Sequence, residues 1–157
     1  MKLLSHSNKR LRITEFLDES PLFAMDRAYE TLLCLLKKRL DADGLSLNQS
    51  FILLSLFFEA RGAITPKDLT NTLRMTAPNV SHQVTSLEKR KLLGRRLNPA
   101  DSRSYVLELT PEGRKLSQKL VRIHHSTQDG FEKAVGAEAV RRMISTLKII
   151  EGMSSNG

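Results

Sequence analysis

The sequence predicts a mainly helical protein that carries one small β-hairpin. Apolar residues recur at helical spacing over most of the chain, and the segments that show it open on capping residues, three of them followed directly by proline. A single stretch, residues 95–109 with an Asn98-Pro99-Ala100-Asp101 turn inside it, has the period-two alternation of paired strands. Charge supplies a third observation. Between Glu88 and Arg103 six basic residues (Lys89, Arg90, Lys91, Arg95, Arg96, Arg103) face two acidic ones (Glu88, Asp101), which is half of the chain's net +8.

The elements follow in order. Residues 1–19 are polar and basic with a few apolar positions (Leu11, Ile13, Phe16, Leu17), which predicts an arm or a short helix. Ser20-Pro21 opens a helix that runs to about Leu40, a cap followed by proline at the first helical position. Leu22, Tyr29, Leu33, Leu36 and Leu40 share one broad face of it, and Asp43-Gly44 stops it. Ser46 and Gln49 form a capping box for SLNQSFILLSLFFEA, which is apolar nearly all round and is expected to be the central buried helix, with Gly62 as its left-handed cap. Ala63-Ile64 reads as a short extended link.

Thr65-Pro66-Lys67-Asp68 opens a short third helix that ends near Leu73, and Arg74-Met75 turn into Thr76, the next cap. In the fourth helix, TAPNVSHQVTSLEKRKLL, Val80, Val84 and Leu87 share one face. The opposite face carries Pro78, His82, Thr85, Ser86 and Lys89, with Asn79 and Ser81 on its flanks. In the hairpin, Arg95-Arg96-Leu97 pairs with a strand where Tyr105, Leu107 and Leu109 alternate with Val106 and Glu108. Thr110-Pro111-Glu112 caps a fifth helix bearing Leu116, Leu120, Ile123 and Phe131. A sixth, after Gly136, bears Val140, Met143, Ile144, Leu147 and Ile150. These last two stripes either pack on the core or pair with a second copy.

Composition bounds the functional classes. At 157 residues, with 40% hydrophobic and 27% charged residues, the chain is expected to be one globular domain. An isoelectric point near 9.9 favours a polyanionic partner, nucleic acid before membrane. MKLLSHSNKRLR lacks the apolar core of a signal peptide, and the longest nearly unbroken apolar run, Phe51 to Phe58, is far short of the roughly 20 residues of a membrane helix. A lone cysteine, Cys34, precludes an intramolecular disulfide. A cytoplasmic protein without membrane contact is expected.

Two short helices joined by a three-residue turn and followed by a basic hairpin make a winged helix-turn-helix. A helix fits the major groove of DNA, and residues at its N-terminal end reach base edges. Short side chains at Thr76, Asn79 and Ser81 let the helix axis come close, while Lys89, Arg95 and Arg96 are placed for phosphates. Arg103, at the hairpin tip, is placed for the neighbouring minor groove, whose negative potential attracts arginine.

From about Ser46 to Arg114 the chain resembles the multiple-antibiotic-resistance regulator (MarR) family of winged-helix transcription factors. The resemblance rests on Leu47 and Gln49, on Ile64-Thr65-Pro66-Lys67-Asp68-Leu69, and on Val80-Ser81 with Leu87-Glu88-Lys89-Arg90. It continues in Leu92-Leu93 with Arg95-Arg96, and above all in the wing, Asp101-Ser102-Arg103 running into Leu107-Glu108-Leu109-Thr110-Pro111-Glu112-Gly113. It implies a homodimer held by terminal helices (20–43 and 111–153), with a winged lobe at 45–110 in which the helix-turn-helix spans about 65–91 and the wing about 94–109. It further implies double-stranded DNA with a palindromic operator as partner, usually for repression, often relieved by a small-molecule effector. By position, Asn79, Ser81, His82 and Ser86 would read the major groove and Arg103 the minor groove, with Asp101 orienting Arg103 through a charge-assisted hydrogen bond. The chain departs from the pattern at His82, where arginine is usual, at Lys91, where glycine usually ends the recognition helix, and at Ser102, where a second wing arginine is frequent.

Other readings are weighed against this one. The basic lobe could dock an acidic protein, as a winged-helix interaction module. Cys34 could act as a redox sensor, but between Leu32-Leu33 and Leu35-Leu36 it reads as a buried, inert thiol. His124 and His125 are adjacent, so they point about 100° apart on a helix and do not chelate together as an i, i+4 pair does. No Gly-rich phosphate loop, nucleophile elbow or paired metal-ligand motif is present, so no enzyme, cofactor or metal site is expected.

Overall fold

The computed structural model describes residues 13–59, 64–99 and 101–153. Leu11, Ala60, Gly62, Ala63 and Ala100 lie outside them. The elements are α1 (Ile13–Glu19), α2 (Pro21–Leu40), a single 3-10 turn (Asp41–Asp43), α3 (Leu47–Phe58), α4 (Pro66–Leu73), α5 (Ala77–Lys89), β1 (Leu93–Asn98), β2 (Asp101–Leu109), α6 (Pro111–Val135) and α7 (Ala137–Met153). The contacts divide the chain into two units, Met1–Leu35 and Leu36–Gly157.

The first unit holds α1 and α2 as far as Leu35. Asp18 lies 3.6 Å from Arg27, an exposed pair that contributes little. Of the expected apolar face, Leu22 and Tyr29 are exposed while Leu33 is half-buried, and Phe23 is exposed beside them. Cys34 is also exposed, against the expectation of a buried thiol. Flanking leucines were a poor guide, because neighbours at i±1 on a helix point about 100° away.

In the second unit α3 is the central helix. Ser46 Oγ accepts from the Gln49 amide at 3.2 Å while the Ser46 amide donates to Gln49 Oε1 at 3.1 Å, the reciprocal box that the sequence predicts. Ile52 and Leu53 are fully buried with Leu69 of α4, Val80, Val84 and Leu87 of α5, Leu107 of β2 and Leu120 of α6. Phe51 and Phe58 reach the surface, so the helix is buried on most of its circumference and not all of it. It also ends sooner than expected, at Phe58, with Glu59 as an extended C-cap in place of Gly62. The chain then returns at Ile64, whose carbonyl accepts from the Leu107 amide at 2.8 Å and adds a bridge to the hairpin edge.

α4 opens on a second reciprocal box, between Thr65 and Asp68. The Thr65 hydroxyl and amide hold the Asp68 carboxyl below its ordinary value. Arg74 adopts the left-handed region, φ 50°, at the turn into α5. Thr76 occupies the cap position of α5, but its hydroxyl bonds no helix amide, contrary to expectation. α5 stops at Lys89, short of the predicted stretch. Lys91, φ 57°, takes the left-handed position itself, with Leu92 N–H donating to Leu87 O at 3.0 Å and Lys91 N–H to Glu88 O at 2.8 Å. That pair of bonds is a Schellman closure, made here by lysine where glycine carries no steric cost.

β1 and β2 pair antiparallel from Leu93↔Leu109 to Leu97↔Tyr105, then slip to Asn98↔Asp101 across a bulge. Val106 and Leu107, on opposite faces of β2, are both buried, because the base of the hairpin packs against α3 and α6. A half-exposed strand alternates cleanly; one covered on both faces does not. Thr110 caps α6 through the Gly113 amide at 3.0 Å and donates its hydroxyl to Lys91 O at 2.7 Å. On α6 Leu120 is buried and Leu116, Ile123 and Phe131 partly so. On α7 only Val140 is buried, while Met143, Ile144, Leu147 and Ile150 remain 38–44% exposed.

A Cβ at residue 113 would lie 1.8 Å from the Leu92 carbonyl oxygen, whereas one at Gly94 meets nothing within 4 Å. Gly113→Ala is therefore expected to destabilise the fold by about 2–3 kcal/mol, by forced repacking of the backbone. Gly94→Ala should stay within about 0.5 kcal/mol of the parent. Denaturant unfolding of the two variants checks the pair.

Candidate nucleic-acid interface

With Val80, Val84 and Leu87 turned into the core, the helical period aims the other side of α5 at solvent. Pro78, Ser81, His82, Thr85 and Lys89 are exposed, as is Thr76 ahead of the helix; Asn79 and Ser86 are half-buried. Two of these polar groups have internal partners. Asn79 Oδ1 accepts from Gln83 Nε2 at 3.2 Å, which leaves its own amide hydrogens to donate outward. Ser86 Oγ accepts from Gln49 Nε2 at 3.1 Å. Since Gln49 Oε1 is already engaged by the Ser46 amide, the orientation of that amide is determined. Ser86 thus ties α5 to α3, a different placement from the groove-facing one expected. Gln83 was missed in the sequence, as was the reach of Gln49 from its capping box to Ser86, since neither residue shares the outward face.

The basic run separates into two groups. Arg95 makes a two-point pair with Glu88, at 2.8 and 2.9 Å, and its guanidinium sits 4.5 Å from the centre of the Tyr105 ring. Arg96 pairs with Glu108 at 2.7 Å. Arg90 donates to the carbonyls of Gly44 and Asp43, at 2.8 and 2.7 Å. Lys89, Lys91 and Arg103 are exposed and form no ion pair among the described residues. Half of the cations in the run are therefore engaged within the fold.

The wing tip is braced through its main chain. Asp101 Oδ1 accepts from the backbone amide of Arg103 at 3.0 Å, not from its guanidinium as expected. Two residues apart in a turn, a carboxylate reaches the i+2 amide more directly than the far end of an arginine. Ser104 Oγ donates to Asp101 O at 3.1 Å and accepts from Asn98 Nδ2 at 2.9 Å. Ser102 is exposed. Lys67, in the first turn of α4, and Arg103 line the same groove of about 440 Å³ beside Tyr105, which brings a cation to the wing that sequence reasoning did not select.

Elsewhere, the His124 ring lies 5.7 Å from Phe51 with its Nε2 buried and without a partner, and burial lowers its pKa from 6.5. No three His, Cys, Asp or Glu side chains among the described residues are grouped to hold a metal ion. No helix among them is long and apolar enough to cross a membrane.

A short helix-turn-helix that presents one polar helix face, flanked by a hairpin with a free arginine at its tip, defines a winged-helix protein. Residues 43–104 match the sequence model of the MarR family. The fold is similar to that of MepR of Staphylococcus aureus in a complex with DNA, with a TM-score of 0.78 at 20% identity, covering 85% of this chain and 98% of that one. It is similar also to the repressor CouR of Rhodococcus jostii bound to a 23-mer DNA duplex, with a TM-score of 0.79 at 25% identity over 91% of this chain and 99% of that one. BpsR of Bordetella bronchiseptica, whose DNA binding is regulated by 6-hydroxynicotinic acid, matches with a TM-score of 0.72 at 21% identity over 89% and 96%. No curated protein matches by sequence.

Folded His124 binds its proton only below the ordinary 6.5, whereas the unfolded chain binds it at that value. The unfolded state therefore takes up more protons in this range. The contribution of His124 to stability is complete above pH 6.5 and is lost as pH falls through and below it. Unfolding midpoints measured between about pH 7 and 5 should fall, and fall less in His124→Phe, if this linkage operates.

Proposed function

We propose that the chain is a dimeric, ligand-responsive repressor that binds a palindromic operator in double-stranded DNA. The observation that carries this reading is the outward face of α5, where Thr76, Asn79, Ser81 and His82 offer polar groups at the N-terminal end of the helix and Thr85 follows one turn on. Thr76, free of a capping bond, and the amide hydrogens of Asn79 would act as donors to base edges or phosphates. Lys89, Lys91 and Lys67 would hold phosphates, and Arg103 the minor groove. Arg95 and Arg96 would meet the backbone only as partly neutralised pairs, so their share of the affinity is smaller than charge counting suggests.

The exposed stripe of α7 supports a second copy as its cover, with residues 20–43 and 111–153 as the dimerisation helices and 45–110 as the DNA-binding lobe. Two such lobes would place recognition helices about 34 Å apart, one turn of DNA. CouR bound to p-coumaroyl-CoA and BpsR with its nicotinic acid derivative support a small-molecule effector here as well. The exposure of Cys34 favours a second reading, in which oxidation of that thiol releases DNA. Peroxide-insensitive binding, or a Cys34→Ser variant that responds as the parent does, removes it.

Selection of genomic fragments by the purified protein, followed by quantitative gel shift on the recovered duplex, tests the main reading; no retention of DNA at low salt refutes it. On such a duplex Arg103→Ala should cost about 1–3 kcal/mol. Sedimentation of the free protein as a monomer at micromolar concentration would refute the dimer.

A further inference from the structure

Arg90 lies within the basic run, yet each terminal nitrogen of its guanidinium donates to a main-chain carbonyl, Gly44 at 2.8 Å and Asp43 at 2.7 Å. Those carbonyls close the 3-10 turn after α2, where Gly44 takes the left-handed position at φ 60°. The same turn is held from a third element. Lys119 of α6 places its ammonium 2.8 Å from both carboxylate oxygens of Asp43, whose side chain is largely buried. Asp43 is thus gripped twice, by its carbonyl from the end of α5 and by its carboxylate from α6.

We propose that Arg90 and Lys119 are positioning residues for DNA binding, which fix the C-terminal end of the recognition helix by clamping the Asp43–Gly44 turn between α5 and α6. The inference rests on the DNA-binding reading of α5. Leverage explains why the far end matters. Thirteen helical residues span about 20 Å, so a tilt of about 10° at Arg90 displaces the base-reading end by about 3 Å, far more than a hydrogen bond tolerates. The neighbouring residues are anchored too: Lys91 O accepts from the Thr110 hydroxyl, and Leu92 O from the Thr110 amide at 3.2 Å. Arg90 and Lys119 complete this anchorage on the side of α2. Arg90 accordingly contributes to affinity without touching a phosphate.

The test compares Arg90→Ala, Lys119→Met and Lys119→Arg with the parent on a duplex that the parent itself selects, over a range of salt. Arg90→Ala should bind about 10-fold more weakly, as a charge-assisted hydrogen-bond pair is lost. Lys119→Met should bind about 3-fold more weakly, a partly exposed ion pair being worth little more. Lys119→Arg should restore binding. In neither weakened variant should the slope of log affinity against log salt change, whereas losing a phosphate contact lowers it by about 0.9. A lowered slope in Arg90→Ala, or parental affinity in Lys119→Met, overturns the proposal. Amide hydrogen exchange without DNA supplies an independent arm. Both weakened variants should exchange faster at residues 90–92, and unchanged exchange in either overturns the clamp. Failure of the parent to retain any duplex falsifies the DNA-binding reading instead, and leaves the clamp to be judged by exchange.

Discussion

The carbonyl of Leu92 occupies the space that a side chain at residue 113 would need, and the placement of the α5 face and of the wing depends on that approach. Three elements meet there: the recognition helix ends, the wing begins, and α6 starts. Glycine at 113 lets the first turn of α6 press against the backbone that leaves α5. Thr110 then bonds both Lys91 O and Leu92 O, while Ser117 one turn further on donates to Gly113 O at 2.8 Å. Helix, hairpin and long C-terminal helix are therefore locked at a single joint, and the face of α5 and the tip of the wing share one frame.

Around that joint charge is used structurally before it is used for binding. Glu88 and Glu108 each draw an arginine of β1 on to the hairpin, and Tyr105 adds a ring beneath Arg95. Such pairs, partly exposed, add little stability individually. Their effect is to hold extended side chains in place along the wing and to lower the net field there. What remains without an ion pair among the described residues, Lys89, Lys91 and Arg103, lies at the end of α5 and at the tip of the hairpin.

Much of the architecture was legible in the residues. Ser46 with Gln49, Thr65 with Asp68, and Thr110 ahead of Pro111 marked three helix starts that the hydrogen bonds bear out, because a capping bond spans three residues and needs no distant partner. Val80, Val84 and Leu87 announced the buried face of α5 by spacing alone. Helix ends were less legible. Gly62 looked like a cap but lies outside the described residues, and α3 ends at Phe58 with Glu59 as its C-cap. Lys91 gives no composition signal for the left-handed region, and takes it because Leu92 must fold under Leu87 and meet α6. Within the site, period and charge selected Arg95, Arg96 and Ser86, while Glu88 and Glu108 pair with the two arginines along the wing and Gln49 ties Ser86 to α3. Asp101 was correctly tied to Arg103, but to its main chain.

The sequence by itself determined the elements, their order, the buried face of α5 and the resemblance to the MarR family, since all of these rest on local periodicity, capping chemistry and motif order. Only the tertiary structure decided which polar groups remain free to act. An arginine in the chain is a cation in any conformation. Whether it meets a phosphate, a glutamate or a carbonyl depends on residues as far away in the chain as Asp43 is from Arg90. The same holds for exposure: α7 carries its apolar stripe in the sequence, but only the structure shows that Met143, Ile144, Leu147 and Ile150 stay exposed. Local chemistry sets conformation over a few residues, and the partners of long polar side chains are set by packing across the whole lobe.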